Sequence, residues 1–168
     1  MSLPRLVLGI DPGTNVCGFC LLKTGEPEPR KIGALEFKGG AYFRLAWLGE
    51  SIAKMVDDIV EASDERLTVV FESVYFSRNV QALVMLARAQ GAIIAAIGNR
   101  DIKIEEFQAS KIKKAITGDG HAKKPVVAAA LQRLLKIPKD LPLDATDAAG
   151  LAYFVAHRGD LFAAQEEA

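Results

Sequence analysis

The chain has 168 residues, half of them apolar and a quarter charged, with 21 lysines and arginines balanced by 21 aspartates and glutamates. Such a chain has room for one domain with a substantial core, a single unit over 1–168, its composition is that of a soluble globular protein, and it shows no internal repeat or low-complexity linker. No apolar run approaches the ~20 residues of a bilayer span, the opening Met1-Ser2-Leu3-Pro4-Arg5 is no signal peptide, and two cysteines make no disulfide framework, so the expected setting is a reducing cytoplasm.

In chain order, Arg5 to Ile10 reads as a first strand, closed by Asp11 and the turn Pro12-Gly13-Thr14. Val16 to Leu22 and Lys31 to Phe37 read as a second and a third. Gly39-Gly40 punctuates before a helix of about Tyr42 to Ala62, whose Leu45, Leu48, Ile52, Met55, Val56 and Ile59 recur at helical spacing. Leu67 to Phe71 is continuously apolar, as an interior strand should be, and it too ends in a carboxylate, Glu72.

A helix from about Asn79 to Ile97 follows, apolar around much of its girth, which either burial or a two-fold dimer interface explains. A strand at Ile102 to Phe107, a short helix at Ser110 to Ile116 and a Gly118-Asp119-Gly120 turn come next. Pro125 suits the first turn of a helix reaching about Leu135, and a last helix runs from near Asp144 to about His157. Three meandering strands followed by alternating helices and strands predict an α/β fold, a mixed sheet with helices on both faces.

Cys17 and Cys20 are spaced as C-x-x-C, but residues three apart on a strand point to opposite faces. They read as small buried hydrophobes. The zero net charge is a sum over patches: Lys111, Lys113, Lys114, Lys123 and Lys124 crowd one stretch whose only acid is Asp119. Such a patch is either a solvated helix face or a surface for nucleic acid.

Two strand-end acids invite a site at the carboxyl edge of the sheet, where open α/β folds build them. Asp144 and Asp147 in LDATDAAG lie three apart, on one helix face. Taken singly, each acid has a structural explanation: Asp144 as an N-cap, Asp147 in a favourable helix dipole, Asp11 as the start of a turn. Together, four acids without paired cations would repel, and divalent ions with a preference for oxygen relieve that repulsion. Two such ions activate a water and stabilise the leaving oxygen of a phosphodiester.

The segments GIDPGT, FESVYFSRN, GDGHAKK and LDATDAAGLA, in this order and separation, resemble the RuvC-type Holliday-junction resolvases of the ribonuclease H-like superfamily. The resemblance spans most of the chain and is poorest between Leu22 and Trp47. It implies a five-stranded ribonuclease H-like sheet and a dimeric endonuclease, dependent on Mg²⁺ or Mn²⁺, that makes paired nicks across a four-way DNA junction. It places the acidic tetrad, as catalytic residues and ligands of two ions, on Asp11, Glu72, Asp144 and Asp147, with Lys113 and Lys124 near the scissile phosphate. Tyr75, with Phe76 as competitor, falls where an aromatic stacks on an unpaired base. Arg78, Lys111, Lys114 and Lys123 are the expected further DNA contacts. The Asn79–Ile97 helix is the expected dimer contact, and a branch-migration helicase complex an implied partner.

A non-catalytic binding module that kept the fold would have lost one of the four acids, all of which are present, and two further rivals remain at this point. The opening loop also resembles the phosphate-binding start of actin-like ATPases, which need a duplicated domain. A YqgF-like or RNA-directed nuclease would keep the fold and change the substrate.

Overall fold

The computed structural model describes residues 5–75 and 78–166. In chain order the elements are β1 (Arg5–Asp11), β2 (Val16–Lys23), β3 (Lys31–Glu36), α1 (Ala41–Glu61), β4 (Arg66–Glu72), α2 (Val80–Ile97), β5 (Lys103–Phe107), α3 (Ala109–Thr117), α4 (Lys124–Leu134) and α5 (Leu143–Glu166). The strands form one five-stranded sheet in the order β3-β2-β1-β4-β5. β2 is antiparallel to β1 and β3, while β4 runs parallel to β1 and β5. The expected mixed sheet is therefore present, with β1 at its centre.

Strand alternation decides which side chain enters which core. Leu6, Leu8 and Ile10 of β1 pack with Leu48, Ile52 and Val56 of α1 and Ala89, Ile93 and Ile97 of α2. Val7 enters the opposite core with Val70, Ile112 of α3, Leu131 of α4 and Ala148 and Ala152 of α5. Cys17 joins the first core and Cys20 the second, as the strand spacing requires. Burial pushes both thiols up to about 12, so they are inert packing groups.

α5 sits directly on β1 and β2 because both strands offer glycine there. A Cβ on Gly9 would run into the Ala148 carbonyl oxygen, and one on Gly18 into that of Asp144. The helix answers with Ala145, Ala148, Ala149 and Ala152, all fully buried. Glycine inside a strand often marks such an approach of backbone to backbone.

Two expectations need correction. α5 continues past His157 to Glu166, because Gly159 weakens a helix interior without ending it. α2, at 18 residues, is long and apolar enough to cross a membrane by length and composition. Its placement is nevertheless that of a sheet-covering helix: Ala89, Ile93 and Ile97 are buried, and a Cβ on Gly49 of α1 would stand 3.1 Å from the Ala92 carbonyl oxygen.

Candidate active site

Gly9 of β1 pairs with Val70 of β4 in parallel register. Asp11 and Glu72 each lie two residues further on, so both carboxylates leave the same sheet edge on the α5 face. Pro12 biases Asp11 towards an extended backbone. At Gly13 a Cβ would run into the Val16 carbonyl oxygen, so the turn into β2 closes only around glycine. The start of α5, seated on Gly18, brings Asp144 and Asp147 over the same edge.

Asp11, Glu72 and Asp147 line one cavity of about 260 Å³ with Lys113 from α3 and Lys124 from the start of α4. Asp144, one turn nearer the helix start, is not part of that lining, but its charge reaches Asp11. The Asp11 carboxyl is pushed up to about 7, first by burial, then by Asp147, Asp144 and Glu72, with Lys124 opposing. Glu72 is raised by partial loss of water around its carboxyl and by Asp147, against Lys113 and Lys124. Lys124 Nζ donates to Asp147 Oδ2 at 2.6 Å, and this bond holds the ammonium above its ordinary value.

The remaining expected residues surround this centre. Lys111 and Lys114 are exposed on α3, and Lys123 is exposed at the N-cap of α4; none of the three lines the cavity. Tyr75 is 69% exposed and lines a neighbouring cavity of about 310 Å³ with Glu72, Gln108 and Ser110. Arg78 is exposed just before Asn79, whose side chain caps α2 by accepting from the Ala82 amide at 3.1 Å. Phe76 lies outside the described residues.

Among the described residues, no three acidic, histidine or cysteine side chains draw together closely enough to enclose an ion. Asp147 accepts a hydrogen bond from Lys124. The donor set still fits a divalent cation. It is all oxygen, and Asp11, raised to about 7 first by burial and then by the neighbouring carboxylates, is about half protonated near pH 7. Gly9 and Gly18, which seat α5, are positioning residues that motif reading passes over; glycine inside an apolar strand pattern is the signal that marks them.

Acidic side chains gathered at the carboxyl ends of β1 and β4, faced by two lysines, on a sheet of this order define a metal-dependent nuclease of ribonuclease H-like fold. Residues 7–157 match the family model described as crossover junction endodeoxyribonuclease RuvC, and the chain belongs to that family. The RuvC of Porphyromonas gingivalis is 40% identical over 160 residues, covering 91% of this chain and 81% of its own. That of Bacteroides fragilis is 38% identical over 156 residues, covering 89% and 80%. Among solved structures, a T. thermophilus RuvC in complex with a Holliday junction substrate shares the fold with a TM-score of 0.75 at 22% identity, covering 92% of this chain and 96% of that one. Family membership sets aside the ATPase and YqgF-like alternatives.

Proposed function

We propose that this chain, acting as one nuclease domain in the cytoplasm, resolves four-way DNA junctions by paired symmetric nicks. The observation that carries the reading is the convergence of Asp11, Glu72, Asp147, Lys113 and Lys124 on one cavity in a member of the RuvC family. Asp11, Glu72, Asp144 and Asp147 would hold two Mg²⁺ ions, or Mn²⁺ by the same oxygen chemistry. When bound, such ions lower the pKa of water and stabilise charge on phosphoryl oxygens.

The chain's own residues orient and neutralise. Lys113 and Lys124 hold the non-bridging oxygens of the scissile phosphate while a water oxygen bonds to phosphorus and the ester P–O bond breaks. Tyr75 stacks on an unpaired base at the crossover, with Phe76 the alternative. Arg78, Lys111, Lys114 and Lys123 neutralise backbone phosphates. Paired nicks need two centres, and α2 supplies the contact: Val80 and Val84 are 62% and 41% exposed on a helix whose other side is packed. A branch-migration helicase complex delivers the junction.

The deciding assay incubates purified protein with an end-labelled four-way junction, linear duplex and RNA–DNA hybrid, with Mg²⁺ and with chelator. Symmetric nicks in the junction alone, lost with chelator, are expected; cutting of the hybrid instead would overturn the reading. Lys124→Ala should slow cutting by about 10²-fold, the scale of losing one electrostatic contact in a reacting site. The loss in rate should exceed the loss in stability, because the Lys124 side chain is 69% exposed, although Asp147 and Asp11 lose a neutralising partner. An unchanged rate would return Lys124 to the solvated surface. Val84→Glu should shift sedimentation towards monomer; an unshifted dimer would place the contact elsewhere.

A further inference from the structure

α1 opens on a cluster of exposed aromatic rings that the site described above does not use. Tyr42 is 81% exposed, Phe43 62% and Trp47 43%. The Phe43 and Trp47 rings stand 5.9 Å apart, and Trp47 meets buried Phe37 edge-on at 5.5 Å. Single exposed apolar residues are ordinary, whereas a contiguous apolar patch marks an interaction site.

Its place in the fold says with what. β3 and β1 are both antiparallel to β2, so they end at the same sheet edge. The Phe37 amide donates to the Asn15 carbonyl at 2.8 Å, in the loop that leaves Asp11. α1 therefore begins on the edge that carries the acids, two strand spacings to one side and on the sheet face opposite α5. A nucleic-acid strand advances roughly 3.4 Å per nucleotide, so an arm passing over this edge reaches the rings at least about three nucleotides from the cut.

The surroundings carry both signs, with Glu36 and Glu50 exposed nearby and Lys38 as the cation beside the rings. Lys38 is exposed beside Gly39-Gly40, Arg44 holds the Gly39 carbonyl, and the first turn of α1 contains no acid. Phe43 and Trp47 look away from α2, whereas Tyr42, seven residues before Gly49, lies within about 20° of the side that faces it. Gly49 faces α2, while Trp47 and Phe43, two and six residues earlier, lie roughly 200° and 240° round the helix from it. A second copy docked through the α2 face would leave the Phe43 and Trp47 rings uncovered.

We propose that Tyr42, Phe43 and Trp47 form a second DNA contact, receiving sugar and base faces of a junction arm a few nucleotides from the cut, with Lys38 on the adjoining phosphate. The inference rests on the junction-cutting reading, and its test separates the two. Trp47 is the only tryptophan in the chain, so its emission reports on the patch directly. Titrating the wild-type protein with a four-way junction in chelator should quench that emission with the same Kd as junction anisotropy. The Tyr42→Ala/Phe43→Ala double variant should bind the junction about tenfold or more weakly, the scale of losing aromatic contact with nucleotides. Its melting temperature should be unchanged, and at saturating protein it should cut at the wild-type rate.

Wild-type cutting with unaltered Trp47 emission and unaltered variant affinity would overturn this contact alone. A variant that loses self-association but keeps junction affinity would assign the rings to a contact between copies, and also overturn it. Wild-type protein that neither binds nor cuts the junction would overturn the functional reading, and this contact with it.

Discussion

Asp11→Asn is expected to slow cutting severely and, without metal, to leave the protein more stable than the wild type at pH 8. In the fold the Asp11 carboxyl titrates near 7, against an ordinary 3.8. Between those values the folded protein keeps a proton that the unfolded chain has released. Wild-type stability therefore falls as pH rises through that window, and above about 7 the full penalty is present. Asparagine has no proton to lose. The two proteins should match near pH 4 and diverge upwards, by on the order of 1–3 kcal/mol at pH 8 once the partial solvation of Asp11 is discounted.

Function runs the other way. After burial, Asp11 is raised by repulsion from Asp147, Asp144 and Glu72, which divalent cations relieve, so Mg²⁺ should stabilise the wild type at pH 8 and the variant much less. Cutting by the variant should fall by about 10²–10³-fold, the scale of removing one preorganised electrostatic group. Chemical denaturation at pH 4.5 and pH 8 in chelator, beside junction cleavage with Mg²⁺, measures both. A stability gap that does not widen with pH would remove Asp11 from the electrostatic centre.

That centre was half legible in the sequence. Asp11 and Glu72 stand out because a carboxylate ending an apolar strand has no packing role. The faces of β1 follow from alternation, which leaves each of Leu6, Val7 and Leu8 one choice. The seat of α5 was not legible, because it depends on Gly9 and Gly18 meeting Ala148 and Asp144, backbone contacts between segments far apart in sequence. Nor does charge pattern select Lys113 and Lys124 among five clustered lysines. Which of them reaches the cavity depends on how α3 and α4 lean against α5, and there the family resemblance carried the choice. Helical periodicity explained Leu45 and Leu48 but left Tyr42 and Phe43 without a role, since it describes the buried face of a helix and is silent on the exposed one.

Gly18→Ala is expected to cost far more than one methyl group. Its Cβ would overlap the Asp144 carbonyl and stand 2.7 Å from the Ala145 nitrogen, both backbone, so no side-chain rotation relieves the clash. Gly18 lies opposite Asp11 in the β1–β2 pair. What must move is the start of α5, and it carries Asp144 and Asp147 away from Asp11. Overpacking of this kind costs about 1–3 kcal/mol. A shift of about 1 Å in reacting groups costs on the order of 10²-fold in rate. Gly33→Ala in β3 separates the two effects. Its Cβ would meet only the Phe19 ring, at 3.0 Å, a side chain in the core on the other face from the acids. Both variants should melt earlier than the wild type. At a temperature where both are folded, only Gly18→Ala should cut slowly, and restoring its melting temperature by substitutions elsewhere should not restore its rate. Wild-type cutting by folded Gly18→Ala would mean that the carboxylates are placed by something other than the seat of α5 on β2.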